Sequence, residues 1–439
     1  MLTTGKAEER KTLAENKRNP AKGKTIKQLK LEDLSDIDRK VLVSLYRYRC
    51  LDDVLLEKYC FKGEASMGYR FRKLGSFIEK NRYEKKVYYC LTTKGVNMVR
   101  LIRGLSGEGL PTAYRIKMSG KAVEHQLALN GFVMEFEDRA EEKGFTEYEY
   151  FDEIYQINYE TIRPDGVLSL PDHTIFIEID MGTERKSQLR KKWDRYYKFT
   201  NTKEFFDSNK PFQVLFVSLK EKNAQQRIDA IQDTIYTQHF GTLRTGLFIH
   251  VGSREEMLDT IFGRLIPGEG LTGYKNGVQR RLKEKGFTLA EGSSIASELG
   301  GEMYDFFMRK LDDRGRLEIA GGRPQQFLVD VFGKGPFSEL RKIELVAQNT
   351  VGYISKTGLG IGYIIVVDNL DSFYYKLKQI NCLNVPNVFY TTTKLLKHPD
   401  QELYKCLRCY DSIGRILKFT DASLSNTEYM RDVKDRRHL

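Results

Sequence analysis

The run Glu142-Lys143-Gly144-Phe145-Thr146 returns as Glu284-Lys285-Gly286-Phe287-Thr288, each time at the end of a helical pattern. Self-similarity of this kind restricts a chain to architectures that stack or pair copies of one unit. An ungapped shift of 151 residues lays Phe176 on Phe327, Gly182 on Gly333, Ser187 on Ser338 and Leu189-Arg190-Lys191 on Leu340-Arg341-Lys342. It also lays the apolar run 212–217 on 363–368, both buried-strand patterns. Residues 271–435 therefore read as a divergent second copy of an α/β domain at 118–260, with 266–277 as the linker. Under this shift Glu178 falls on Val329 and Asp180 on Val331, so the second copy is expected to lack the first copy's carboxylates.

The first copy reads as a helix over 123–143, strands over 146–158, 161–170 and 175–180, and a helix over 184–199. A strand over 212–219, a helix over 224–239 and a strand over 245–251 follow. The turn at Pro171-Asp172-His173-Thr174 makes 161–180 a hairpin. If Pro171 pairs with Thr174, Asp165 stands opposite Asp180, and Glu178 shares their face because strand side chains alternate. Ile175, Ile177 and Ile179 point the other way, into the core.

Three carboxylates converging on one face repel, and a divalent cation is the simplest compensation. Hard oxygen donors suit Mg²⁺ or Mn²⁺. Glu124, on the preceding helix, is a further candidate ligand. The helix after the hairpin is dense in cations: Arg185, Lys186, Arg190, Lys191, Lys192, Arg195 and Lys198. A solvated sheet edge blunted by acids is the plainer alternative. Pro164-Asp165 followed by Glu178-x-Asp180 resembles the PD-(D/E)xK nucleases, where a metal polarises the scissile phosphate and activates a water. Asp180 stands where that pattern has lysine, and the resemblance assigns the missing charge to Lys191 or Lys192. The other cations of that helix would track phosphates.

Ahead of this domain the charge is clustered. Residues 1–30 carry a net +6 and residues 62–104 a net +8, which leaves about −2 on the rest of a chain of +12. Concentrated positive charge suits a polyanion, since affinity grows with the counterions released from phosphates. Residues 1–32 read as a disordered basic tail. From Ser35 the pattern gives a helix with Ile37, Val41, Leu42 and Leu45 inward, a second over 52–59, and a third over 65–80. A basic ribbon over 82–91 and a helix from Thr93 complete it. Three helices and a basic hairpin over 33–104 describe a winged helix-turn-helix. Arg70, Arg72 and Lys73 would then face the groove and Lys85 and Lys86 the backbone.

Arg163-Pro164-Asp165, Glu178-Ile179-Asp180-x-Gly182-Thr183-Glu184 and Leu189-x-x-Lys192-x-x-x-Tyr196 follow a helical domain ending Leu91-Thr-x-Lys-Gly95. The set resembles the replication-relaxation proteins of bacterial plasmids and integrative elements. The resemblance covers roughly 35–260 and implies plasmid replication, DNA relaxation or mobilisation. The expected fold class is α+β and multidomain, with a restriction-endonuclease-like domain after the winged helix. The expected partner is double-stranded DNA, and a homodimer is compatible with it. Two functions stay open: metal-dependent nicking of one strand, since only one copy is complete, or a non-catalytic replication factor or regulator on a nuclease-like scaffold.

Other chemistries find little support. No apolar run spans a membrane and the N-terminus is not a signal peptide, so a cytoplasmic, nucleoid- or plasmid-associated protein is expected. Six scattered cysteines suit free thiols, and Cys406-x-x-Cys409 has no partner pair for zinc. No His-x-His pair serves a histidine-type relaxase, and His125 reads as an interior or helix-surface residue. No phosphate-binding Walker loop is present. Tyr196-Tyr197 leaves a covalent tyrosine mechanism open.

Overall fold

The computed structural model describes residues 30–63, 67–105, 111–118, 120, 122–154, 159–219, 222–239, 246–266, 269–291, 299, 304–320, 323–332, 337–380, 382, 385–397, 402–410 and 416–418. The expected basic tail, apart from its last three residues, lies outside them, as does the stretch beyond 418. Among the described residues no helix is long and apolar enough to cross a membrane. The chain divides into two units, Met1–Val123 and Glu124–Leu439.

In the first unit, Ser35 caps helix α1 (Asp36–Tyr48): its Oγ accepts the Asp38 N–H at 3.3 Å, and Asp38 accepts the Ser35 N–H at 3.0 Å. The face Val41, Leu42, Leu45 and Tyr48 is buried. Strand β1 (Leu51–Asp52) follows, then α2 (Asp53–Leu55), which widens into a π turn over Leu56–Phe61. Next come α3 (Met67–Lys73), β2 (Ile78–Tyr83), β3 (Lys86–Leu91) and α4 (Thr93–Arg103). The three strands form one sheet in the order β1-β3-β2, and β2 and β3 are a hairpin with Glu84 at φ +50°.

The third helix is shorter than its pattern predicts. It ends at Lys73, and the chain turns so that Phe77 and Ile78 reach the sheet core. Gly95 explains part of its motif. A Cβ there would sit 2.1 Å from the Phe77 carbonyl oxygen, so α4 can approach the sheet only with glycine at that position.

Arg70 and Lys73, expected to face outward, instead turn inward. Arg70 lies 2.8 Å and Lys73 2.6 Å from the carboxylate of Asp38, which is fully buried. The helix cap thus doubles as the tie between α1 and α3, and a buried carboxylate needs such cations.

The second unit opens in α5 (Ala122–Glu142). It continues through β4 (Glu149–Asp152), β5 (Gly166–Ser169), β6 (Thr174–Asp180), α6 (Lys186–Phe199), β7 (Phe212–Ser218), α7 (Ala224–His239) and β8 (Leu247–Ser253). The sheet order is β4-β5-β6-β7-β8, antiparallel through β6 and parallel beyond. Strand β7 is buried on both faces, as helices on both sides of parallel strands require.

The same plan then repeats. Helix α8 (Glu269–Glu284) leads into β9 (Thr288–Glu291), β10 (Phe306–Arg309), β11 (Ile319–Ala320), β12 (Arg323–Pro324) and β13 (Gln326–Val331). Then come α9 (Arg341–Thr357), β14 (Gly362–Val367), α10 (Leu370–Gln379), β15 (Val388–Thr392), β16 (Arg408–Tyr410) and β17 (Ile416–Lys418). The run β9-β10-β13-β14-β15 has the order and senses of β4 to β8, with β16 and β17 added at the edge; β11 and β12 pair apart. One apolar core crosses both halves, including Trp193, Phe216 and Ile231 with Phe337, Ile343 and Phe373. The Ile249 N–H of β8 donates to Ser338 Oγ at 3.0 Å across the join.

Two expected registers are corrected. Gly166 pairs with Ile177, so Asp165 stands opposite Glu178 and not Asp180. In the second half Phe306 pairs with Val329, which places Asp305 opposite Asp330. Glu178 therefore corresponds to Asp330, one position beyond the Val329 of the ungapped shift. A one-residue slip exchanges the faces of a strand, so the counterpart of Glu178 is a carboxylate after all, whereas Asp180 falls on Phe332.

Asp38 gives the first unit a defined acid dependence. Burial alone would raise its carboxyl, but Lys73, Arg70 and Ser35 hold it at about 2. A depressed carboxyl stabilises fully above the unfolded value near 3.8 and ceases to as pH falls through about 2. Asp38→Asn should therefore cost about 1–2 kcal/mol at neutral pH. In urea unfolding followed by circular dichroism, that deficit should close between pH 4 and pH 2; a deficit unchanged across this range contradicts the assignment.

Candidate functional site

At the end of the first-half sheet, β5 and β6 bring two carboxylates together. The Asp165 N–H donates to the Ile177 carbonyl at 3.0 Å, and Asp165 Oδ2 accepts the Ile179 N–H at 2.7 Å. That bond fixes the aspartate at the mouth of the hairpin. Glu178 points to the face covered by α6 and is 2% exposed.

Helix α6 meets Glu178 with two side chains one turn apart, the spacing that places them on one helix face. Tyr196 donates to Glu178 Oε1 at 2.6 Å, and Lys192 Nζ lies 2.9 Å from Oε2. Lys192 is also 3.3 Å from Glu184 Oε1, and its ammonium lies 5.1 Å from the centre of the Phe216 ring. Of the two lysines left open by the sequence, Lys192 turns inward and Lys191 stays exposed. Gly182, at φ +75°, allows the turn from β6 that delivers Glu184 and the helix.

Asp180 does not join this group. It is fully buried and held by Arg227 of α7, with Nε at 2.7 Å and Nη2 at 2.6 Å. The α5 side chain that reaches Asp165 is His125, neighbour of the half-buried Glu124. Its Nε2 is 3.3 Å from Asp165 Oδ2 and 3.1 Å from the Ile179 carbonyl. His125 is half-buried on its helix, as the sequence reading had it, and adjoins the site through Asp165.

The electrostatics follow from burial. Burial pushes Glu178 up to about 7, against the pull of the Lys192 ammonium. Burial would lower Lys192, but Glu178, Asp165 and Glu184 surround it and hold it protonated above its ordinary value. Burial likewise would lower His125, yet Asp165 and the Ile179 carbonyl raise it to about 9. Tyr196 is raised well above its ordinary range by burial and by Glu178, to which its hydroxyl donates.

Among the described residues, no three His, Cys, Asp or Glu side chains are arranged to hold a metal ion as they stand. The Lys192 ammonium instead lies between Glu178 and Glu184. A hard cation there would have to displace that ammonium. Asp165, Glu178 and Glu184 are all carboxylates, and Glu184 Oε2 is buried without a hydrogen-bond partner. Those three would be the residues to hold Mg²⁺ or Mn²⁺.

Around the site α6 exposes Arg185, Arg190, Lys191 and Arg195, while Lys186 is paired with Asp233 at 2.7 Å. In the first unit Arg72, Lys85 and Lys86 are exposed, as is Tyr69, three residues before Arg72, at 62%. Arg227, His125 and Glu184 were not among the residues singled out as ligands or catalytic groups, and Tyr196 was raised only for a covalent mechanism. Glu184 stood in the Gly182-Thr183-Glu184 motif and Tyr196 four residues after Lys192, and nothing local marks Arg227.

Residues 42–215 match the model of the replication-relaxation family, in agreement with the resemblance carried by the motifs. No curated protein and no solved structure matches the chain.

His125 gives a direct readout of the site. Its imidazole should titrate near 9 in a nitrogen-15 NMR experiment and fall by at least one unit in Asp165→Asn. The contact stabilises fully below the unfolded value of 6.5 and is lost as pH rises through about 9. An unshifted His125 in the wild type would remove it from the site.

Proposed function

We infer that this chain, a replication-relaxation protein over residues 42–215, acts on DNA during replication or relaxation of a plasmid or mobile element, cleaving a phosphodiester bond. The first unit serves as a winged-helix reader, and the α/β centre is of the PD-(D/E)xK kind. One observation carries this reading: Lys192, supplied by the helix after the strand, meets Glu178 beside Asp165. Two carboxylates and a lysine are the parts the chemistry needs.

Asp165, Glu178 and Glu184 would hold Mg²⁺ or Mn²⁺, which when bound polarises the phosphate and lowers the pKa of an attacking water. Lys192 keeps its proton among the carboxylates and can donate to a non-bridging oxygen as negative charge grows there. Tyr196 holds Glu178 in place by its 2.6 Å bond. Protonated His125 orients Asp165. The exposed cations of α6 would guide the backbone towards the centre, with Arg72, Lys85 and Lys86 engaging duplex through the first unit.

A non-catalytic DNA-binding scaffold is the second reading. It is favoured by the closed pairs of the site, since Arg227 neutralises Asp180 and Lys192 compensates Glu178 without a metal.

A supercoiled plasmid carrying the element's own origin, incubated with Mg²⁺ or Mn²⁺, separates the two. Asp165→Ala and Lys192→Ala should each lower relaxation by about 100-fold or more. Equal relaxation by wild type and variants, or none by wild type, favours the scaffold. Charge reversal at Arg72, Lys85 and Lys86 should weaken duplex binding and flatten its salt dependence by about 0.9 per lost phosphate contact. Unchanged binding by that triple variant would move the DNA interface elsewhere.

A further inference from the structure

Helix α3 of the first unit is pinned along one face and bare along the other. Arg70 and Lys73 are drawn inward to Asp38, at 2.8 and 2.6 Å. Arg70 also donates to the Ser35 hydroxyl at 2.7 Å, and Lys73 to the Asp33 carbonyl at 2.7 Å. Phe71 stacks on Tyr89 of β3, with ring centres 4.3 Å apart, and meets Phe61 edge-on at 6.2 Å. These contacts fix the rotation of a helix of seven residues, which is too short to persist on its own propensity.

The other face presents Gly68, Tyr69 and Arg72, which the helical spacing of three and four residues brings together. All three are exposed, Tyr69 at 62%. Arg72 Nε donates to the Gly68 carbonyl at 3.3 Å, which lays the side chain along this face. A Cβ at Gly68 would meet nothing within 4 Å, so a ligand can approach the helix backbone closely there. Helix α3 carries no acidic residue, and Lys85 and Lys86 are exposed at the start of the strand that carries Tyr89. A single exposed aromatic is ordinary on a protein surface. A tyrosine beside an arginine, on an acid-free helix whose rotation is fixed from behind, instead suits the base edges of a polyanion.

We propose that Tyr69 and Arg72 are the residues with which the first unit distinguishes one DNA sequence from another, while Arg70 and Lys73 hold the helix that carries them. The proposal rests on the reading of this unit as a winged-helix reader and names the side chains that give it specificity. Arginine forks onto O6 and N7 of guanine, and an aromatic ring packs on the methyl group of thymine. Side chains one helical turn apart are separated by about 5–6 Å, against a rise of about 3.4 Å per base. The preferred site therefore holds a guanine and a thymine one or two base pairs apart.

The test selects bound duplexes from a random library with the full-length protein, then measures affinity for labelled synthetic duplexes by fluorescence anisotropy at fixed salt. Wild type should enrich a site with that guanine and thymine. Tyr69→Ala and Arg72→Ala should each bind the selected duplex about tenfold more weakly. Tyr69→Ala should bind random duplex as wild type does. Deoxyuridine in place of thymidine deletes only the methyl group; it should weaken wild type several-fold and leave Tyr69→Ala unmoved. Both side chains are exposed, so circular dichroism should show both variants folded. Unchanged affinity for the selected duplex in both variants overturns the inference alone, and a loss of self-association in sedimentation would then make this face a protein contact. A wild type that binds duplex but enriches no sequence also overturns it alone. No duplex binding by wild type overturns it together with the winged-helix reading.

Discussion

The arrangement of the second unit turns on a carboxylate buried beneath a helix. Glu178 sits in a strand whose neighbours Ile177 and Ile179 are core residues, so it cannot reach water without unmaking the sheet. An uncompensated carboxylate there would cost several kcal/mol. Lys192 and Tyr196 supply the compensation, and both must come from the same face of α6. The pair therefore fixes the rotation and axial position of that helix. It also places Trp193, between them in sequence, in the shared apolar core. Asp180, two residues on, imposes the same demand on α7 through Arg227.

Doubling this plan has a physical consequence. The two sheets are bound into one unit by a continuous core, and β8 of the first half donates to Ser338 just ahead of the second half's α9. The join thus lies next to the ion pair of Lys342 with Asp330, since Ser338 precedes Lys342 by one turn. The family match ends at residue 215, before β8 and before the whole of the second half. The counterparts of Asp165 and Glu178 there, Asp305 and Asp330, are visible only through the chain's likeness to itself.

Much of the fold was legible because it is written in period and punctuation. The alternation in 175–180, the apolar run at 212–218 and the Ser35 cap each announce their element and were found close to its observed bounds. The third helix was overextended because the pattern up to Lys80 does not reveal that Phe77 and Ile78 belong to the sheet. The site was half legible. Asp165, Glu178 and a lysine on the next helix could be named from spacing, but the partner of Asp165 could not, since two hairpin registers differ by one turn residue at each side. Arg70 and Lys73 look like surface cations in sequence; only the burial of Asp38, on a different helix, turns them inward. Asp330 was missed because the ungapped shift is one residue out on β13, and an offset of one reverses a strand's face; Asp305 was missed because it lies 140 and not 151 residues beyond Asp165.

The claim that the Glu178–Lys192 pair organises the centre can be tested by a double-mutant cycle. Trp193 is the single tryptophan and lies next to Lys192 on α6, so its fluorescence reports unfolding of this region. Glu178→Gln and Lys192→Met should each destabilise by about 3 kcal/mol, and the double variant should cost far less than their sum, with a coupling of about 2 kcal/mol or more. Strictly additive losses, or single variants that leave the transition unmoved, would contradict the account.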